Sequence, residues 1–169
     1  MKKALPLLMV LLSLLLLIGC NQSETAAKSS VNFYYRTAEV AFGTESGVII
    51  PENREINTDD IQLILKQYLE GPKSEKLISP FPENLTIRGF NYGPARTSLT
   101  LSTHIADIKD SELTIACACI AKTVFELTDT RSLEIKSDSG LIGGSQSIIL
   151  MCNDLILYDD YFASSDATS

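Results

Sequence analysis

The 169-residue sequence predicts an α+β domain, with two helices packed on one face of a mixed, mostly antiparallel sheet. Two stretches carry a helical period. Several short segments alternate apolar and polar residues, and Gly, Pro, Asn and Asp separate them at intervals that suit hairpins.

The first residues have the character of an export address. Lys2 and Lys3 precede an uncharged apolar run from Ala4 to Ile18, which is short for a span needing about 20 residues. A cleaved signal over residues 1–19 fits it better. The run closes on Leu17-Ile18-Gly19-Cys20, which resembles the lipobox of bacterial lipoproteins. That resemblance implies cleavage between Gly19 and Cys20, and a lipid on the Cys20 thiol that holds the protein to the bilayer at the extracytoplasmic face. Asn21 to Ser30 is small and polar without an apolar period. Residues 20–30 therefore read as a lipidated cysteine and a flexible tether, reaching roughly 30 Å when extended.

Residues 31–158 suit one domain with one core. Val31, Phe33 and Tyr35 alternate with polar neighbours as a strand, and Val48 to Ile50 forms a second strand that Pro51 is expected to stop. In the first helix, Thr58 to Pro72, residues Ile61, Ile64, Leu65, Tyr68 and Leu69 make a single stripe. Asn57 or Thr58 is the expected cap, Asp59 and Asp60 complement the dipole, and Gly71 followed by Pro72 provides the stop.

Beyond it, Leu77 and Ile78 are expected to pin a polar connector to the core. Leu85 with Ile87, and Leu99 with Leu101, mark two strands joined around Asn91-Tyr92-Gly93-Pro94. Asp110 or Ser111 is the expected cap of a second helix running to about Thr128, with a wider apolar arc and hence deeper burial. Leu133 and Ile135 mark another strand. Ser147 to Met151 and Leu155 to Tyr158 suit a last hairpin around Cys152-Asn153-Asp154, and residues 159–169 form a polar tail.

This order of elements resembles the GerMN domain of exported sporulation and spore germination proteins, many of them lipoproteins. The matching motifs are the helix exit Leu69-Glu70-Gly71-Pro72, the run Pro82-Glu83-Asn84-Leu85-Thr86-Ile87, the strand Leu99-Thr100-Leu101-Ser102, and the long helix leading into Leu133-Glu134-Ile135. They span roughly Val31 to Asp138. Two features depart from the pattern: Leu99-Thr100-Leu101 lacks the acid of a Val-Asp-Leu-like triplet, and residues 141–158 add an apolar hairpin beyond the usual helix-strand ending or else replace that ending. The resemblance implies a non-catalytic interaction domain working in the cell envelope, sporulation or germination, with an envelope protein or a second copy as partner.

Few residues point to chemistry. His104 is the lone histidine, with Asp107 and Asp110 nearby, but no Gly-x-Ser-x-Gly elbow accompanies it. Cys117 and Cys119, two apart on a helix, point to nearly opposite sides and cannot grip one metal together. With Cys20 lipidated, Cys117, Cys119 and Cys152 are an odd set; Cys152 meets one of the other two, or all three stay thiols. Asp59-Asp60 and Asp159-Asp160 read as helix-start and tail charges rather than a glycosidase pair. No metal or other cofactor is expected.

Net charge is −7. Removing residues 1–19 takes Lys2 and Lys3 and no acid, leaving 12 basic against 21 acidic residues. With no tryptophan and no basic stripe, a nucleic-acid partner is not expected. The alternative to a protein partner is peptidoglycan, for which Tyr34, Phe90 and Tyr92 are the candidate stacking aromatics. A wall hydrolase built on His104 is the third reading.

Overall fold

The computed structural model describes residues 29–38 and 47–155. Chain order is β1 (Ser29–Thr37), β2 (Ile49–Ile56), α1 (Ile61–Leu69), β3 (Leu77–Ile78), β4 (Ile87–Asn91), β5 (Thr97–Leu101), a 3-10 turn (Thr103–Asp107), α2 (Asp110–Leu127), β6 (Ser132–Ser137), β7 (Ser147–Met151) and a second 3-10 turn (Cys152–Asp154). The α+β class holds, but the strands form two sheets where one was expected. β2, β1 and β3 make one, in that order, and β4, β5, β6 and β7 the other. Only β5 and β6 pair in parallel, joined by the long α2 crossover.

On the side of β1 away from β2, β3 pairs only at Arg36 and Thr37, and α2 closes the edge beyond it. Along β1 the backbone amide of Tyr34 donates to Thr123 Oγ1 at 3.0 Å, and Arg36 pairs with Glu112 at 2.7 Å. Tyr34 Oη donates to Glu126 Oε1 at 2.8 Å. Glu112, Ala116, Cys119, Thr123 and Glu126 lie three or four residues apart, so they share one helix face. Ala116, Cys119 and Thr123 are small and fully buried, which lets the helix approach the strand closely. Residues Leu113, Cys117, Ile120 and Val124 complete the burial against a core that includes Leu99, Leu101, Leu133, Ile135 and Ile142.

Local signals mostly landed where expected, with several corrections. Asp60, not Asn57 or Thr58, caps α1, its Oδ1 accepting from the amides of Gln62 and Leu63 at 2.9 and 3.4 Å. Thr58 holds the cap in place by accepting from the Asp60 amide. Pro51 does not stop the second strand. β2 runs through it to Ile56, because β2 lies at a sheet edge, where a missing N–H is tolerated. Lys109 flanks the start of α2 without a side-chain cap. The first strand begins at Ser29, two residues before the expected domain boundary. The signal segment, Cys20, most of the tether, residues 156–158 of the last expected strand, and the tail lie outside the described residues.

Candidate functional site

The Gly71-Pro72 helix exit is held by an ion pair on β2. The register sets Phe33 opposite Glu52 and Val31 opposite Arg54, so both charges share the face of Phe33 and Tyr35. Arg54 is 9% exposed. Its Nε donates to Glu52 Oε2 at 2.6 Å, its Nη2 donates to the Gly71 carbonyl at 2.7 Å, and its guanidinium lies 5.0 Å from the Phe33 ring centroid. Glu52 Oε1 in turn accepts from the amides of Lys73 and Ser74 at 3.0 and 2.8 Å. The pair thus ties the chain on both sides of Pro72 to the sheet.

Helix α1 is fixed from below by a tyrosine exchange. Tyr35 Oη donates to the Tyr68 carbonyl at 2.7 Å, and Tyr68 Oη donates to the Tyr34 carbonyl at 2.8 Å. Phe33, Tyr35 and Phe81 surround the Tyr68 ring at centroid distances of 5.1 to 5.3 Å. Burial pushes the Tyr68 hydroxyl far above its ordinary pKa, so it stays protonated and serves as a donor.

With its inner face so fixed, α1 leaves its other side to form one wall of a groove of about 520 Å³. Gln62, Leu63, Lys66, Leu69 and Glu70 line that wall, and Glu83, Leu85, Thr86, Ile87 and Arg88 line the facing one. Leu85 is buried, and Leu69 and Ile87 are half-buried against the core, which makes an apolar floor. Leu63 is 49% exposed at the lip. Strand β4 is an end strand of its sheet and shifts register between Ile87 and Gly89. Thr86, just before it, turns both backbone groups toward Ser102, accepting from its amide at 2.8 Å and donating to its Oγ at 3.1 Å.

The sequence-expected candidates fall elsewhere. Tyr34 is 7% exposed, with Lys122 over its ring, so it is not a free stacking surface. Phe90 packs against the core. Tyr92 is exposed and donates its hydroxyl to Asp129. Of the three aromatics only Tyr92 is largely exposed. His104 Nδ1 lies 3.3 Å from Ser102 Oγ, but Ser102 is buried and its Oγ is engaged with Thr86. Cys117, Cys119 and Cys152 are free, the first two buried and the third exposed. Burial raises the thiols of Cys117 and Cys119 to about 12. Among the described residues no cluster of His, Cys, Asp or Glu is placed to hold a metal.

Two solved structures are similar to this chain in fold. One contains the tandem GerMN domains of the sporulation protein GerM from Bacillus subtilis, with a TM-score of 0.53 and 21% identity over 72% of this chain. The other is the first GerMN domain of that protein alone, with a TM-score of 0.53 and 10% identity over 70% of this chain. The chain carries a GerMN-like domain. It spans 42% of the tandem structure and 91% of the single domain, so its length corresponds to one such unit. No protein-family model and no curated protein sequence matches the chain. The sequence motifs thereby acquire a structural meaning. Leu69-Glu70-Gly71-Pro72 is where α1 ends under the Arg54 clamp, and Pro82 to Ile87 supplies the outer wall of the groove.

Proposed function

We propose that this is a lipoprotein anchored through Cys20 to the extracytoplasmic face of the membrane, whose GerMN-like domain acts as a non-catalytic interaction module. Its role would be scaffolding or assembly in the cell envelope, during sporulation or spore germination. The observation that carries this reading is the fold, shared with domains of a protein described as a sporulation protein. The Leu17-Ile18-Gly19-Cys20 ending supports the anchor, and the open groove beside α1 supports a binding role over a catalytic one.

Two experiments test it. Fractionation of cells fed labelled palmitate should place the protein in the membrane with label attached, and Cys20→Ser should abolish the label; label that survives the substitution refutes the anchor. Crosslinking of the tethered protein in its own cells should capture an envelope protein. Co-sedimentation with purified peptidoglycan and no protein capture would instead favour the wall-binding reading.

A further inference from the structure

We infer that the groove between α1 and β4 receives an extended peptide of a partner protein, apolar at alternate positions and basic between them, which adds to the outer edge of β4. This rests on reading the domain as an interaction module and names what that module would hold.

The groove has the two parts that strand addition requires: a sheet edge that supplies backbone groups, and apolar recesses spaced for alternate side chains. Thr86 faces β5 through both backbone groups, so alternation along the strand turns the backbone of Ile87 outward. An added strand would place every second side chain, about 7 Å apart, over the floor of Leu69, Leu85 and Ile87. Leu63 would close over them from α1. Its exposure has no internal purpose, since Ile64, Leu65 and Tyr68 already anchor the helix.

The other end strands are less suited, and β3, with two residues, is too short to template another strand. Among the described residues, β2 carries Pro51, Glu52 and Arg54, with both charges spent in the clamp. Strand β7 has exposed Ile149 and Met151 but no charge with which to select a partner.

Charge decides the character of the peptide. At the rim Arg88 is engaged with Asp138 at 3.2 Å, whereas among the described residues the side chains of Lys66, Glu70 and Glu83 form no ion pair or hydrogen bond. The unspent rim charge is therefore acidic by one. Glu70 also stands at the C-terminal end of α1, where the helix dipole favours a cation. A chain of net charge −7 attracts a basic segment at long range and repels an acidic one.

The test uses the full-length protein in detergent and a library of fluorescent decapeptides, with Val or Leu at alternate positions and Lys, Glu or Ser between them, read by anisotropy. Lys-bearing members should bind best. Leu63→Ser should weaken them about tenfold, and Glu83→Lys should turn the preference from Lys to Glu. Both residues are exposed, so melting temperatures should stay within about 2 °C of the parent. The proposal is overturned if no member binds more tightly than an all-Ser control, or if neither substitution changes binding. In-cell capture of an envelope protein that survives Leu63→Ser would leave the interaction module standing and remove the groove as its site.

Discussion

Replacing Arg54 with alanine removes more from this domain than any surface charge would. The hydrogen bond from a charged donor to the Gly71 carbonyl contributes about 1.5–3 kcal/mol. The contacts with the Phe33 and Tyr35 rings add about 0.5–1 kcal/mol each. Glu52, 12% exposed, loses its counter-ion but keeps the amides of Lys73 and Ser74, which limits the penalty for its stranded charge. Together these give a loss of about 3–5 kcal/mol, in line with breaking a buried pair. The midpoint should fall by roughly 10–20 °C for a domain of this size.

The assay is urea unfolding of the protein without residues 1–20, followed by far-ultraviolet circular dichroism. A loss under about 1 kcal/mol would refute the clamp, because a solvated pair is worth no more than that. The pH dependence gives an independent check. Burial pushes the Glu52 carboxyl up, but the hydrogen bonds from Arg54, Ser74 and Lys73 and the Arg54 charge outweigh it, leaving it below its ordinary value of 4.5. Such a group contributes stability that is fully present above the unfolded pKa and is lost as pH falls through the folded one. The difference between parent and Arg54→Ala should therefore narrow as the pH drops below 4.5. A constant difference across that range would mean that Glu52 is not the partner that matters.

Three further outcomes are expected. Gly71→Val should lower stability by at least about 1–2 kcal/mol, since Gly71 sits at φ +98° where a side chain is strained; an unchanged melting temperature would refute the left-handed stop. Asp60→Ala should cost about 0.5–2 kcal/mol, whereas Asn57→Ala should cost almost nothing, and equal losses would contradict Asp60 as the cap. In the protein without residues 1–20, a thiol reagent at neutral pH should label Cys152 quickly. It should reach Cys117 and Cys119 only on unfolding, and rapid labelling of three thiols would contradict their burial.

What the sequence revealed was whatever depends on neighbours along the chain. The stripe of α1, its glycine stop, the turn at Tyr92-Gly93-Pro94 and the limits of β7 are local, and each is legible from spacing and residue type. The turn shows why: a Cβ on Gly93 would lie 2.7 Å from the Arg96 carbonyl oxygen, a constraint that acts within four residues. The split into two sheets was not legible, because strand partners and closures such as that of Tyr34 by Thr123, 89 residues apart, are set at long range. For the same reason Tyr34 reads as outward from alternation but is covered by α2. Nothing in the residue types of Glu52-Asn53-Arg54-Glu55 marks a buried pair, and only the register with Phe33 turns two of its charges inward. The groove left one signal, Leu63, an apolar residue off the α1 stripe that the core does not explain.

The way β1 is held also bears on mechanics. A load on the residues before Ser29 enters the fold at β1, which is paired with β2 along eight positions from Ser29 to Arg36 and fastened to α2 on its other side at Tyr34 and Arg36. The strand cannot slide without breaking contacts on both flanks at once. Tyr35 and Tyr68 then link it to the base of α1 and so to the groove wall. Tension between an anchor at the N-terminus and a partner held beside α1 would run along this short, doubly braced path, and the unfolding rate under force, rather than the equilibrium stability, would set how long the connection lasts.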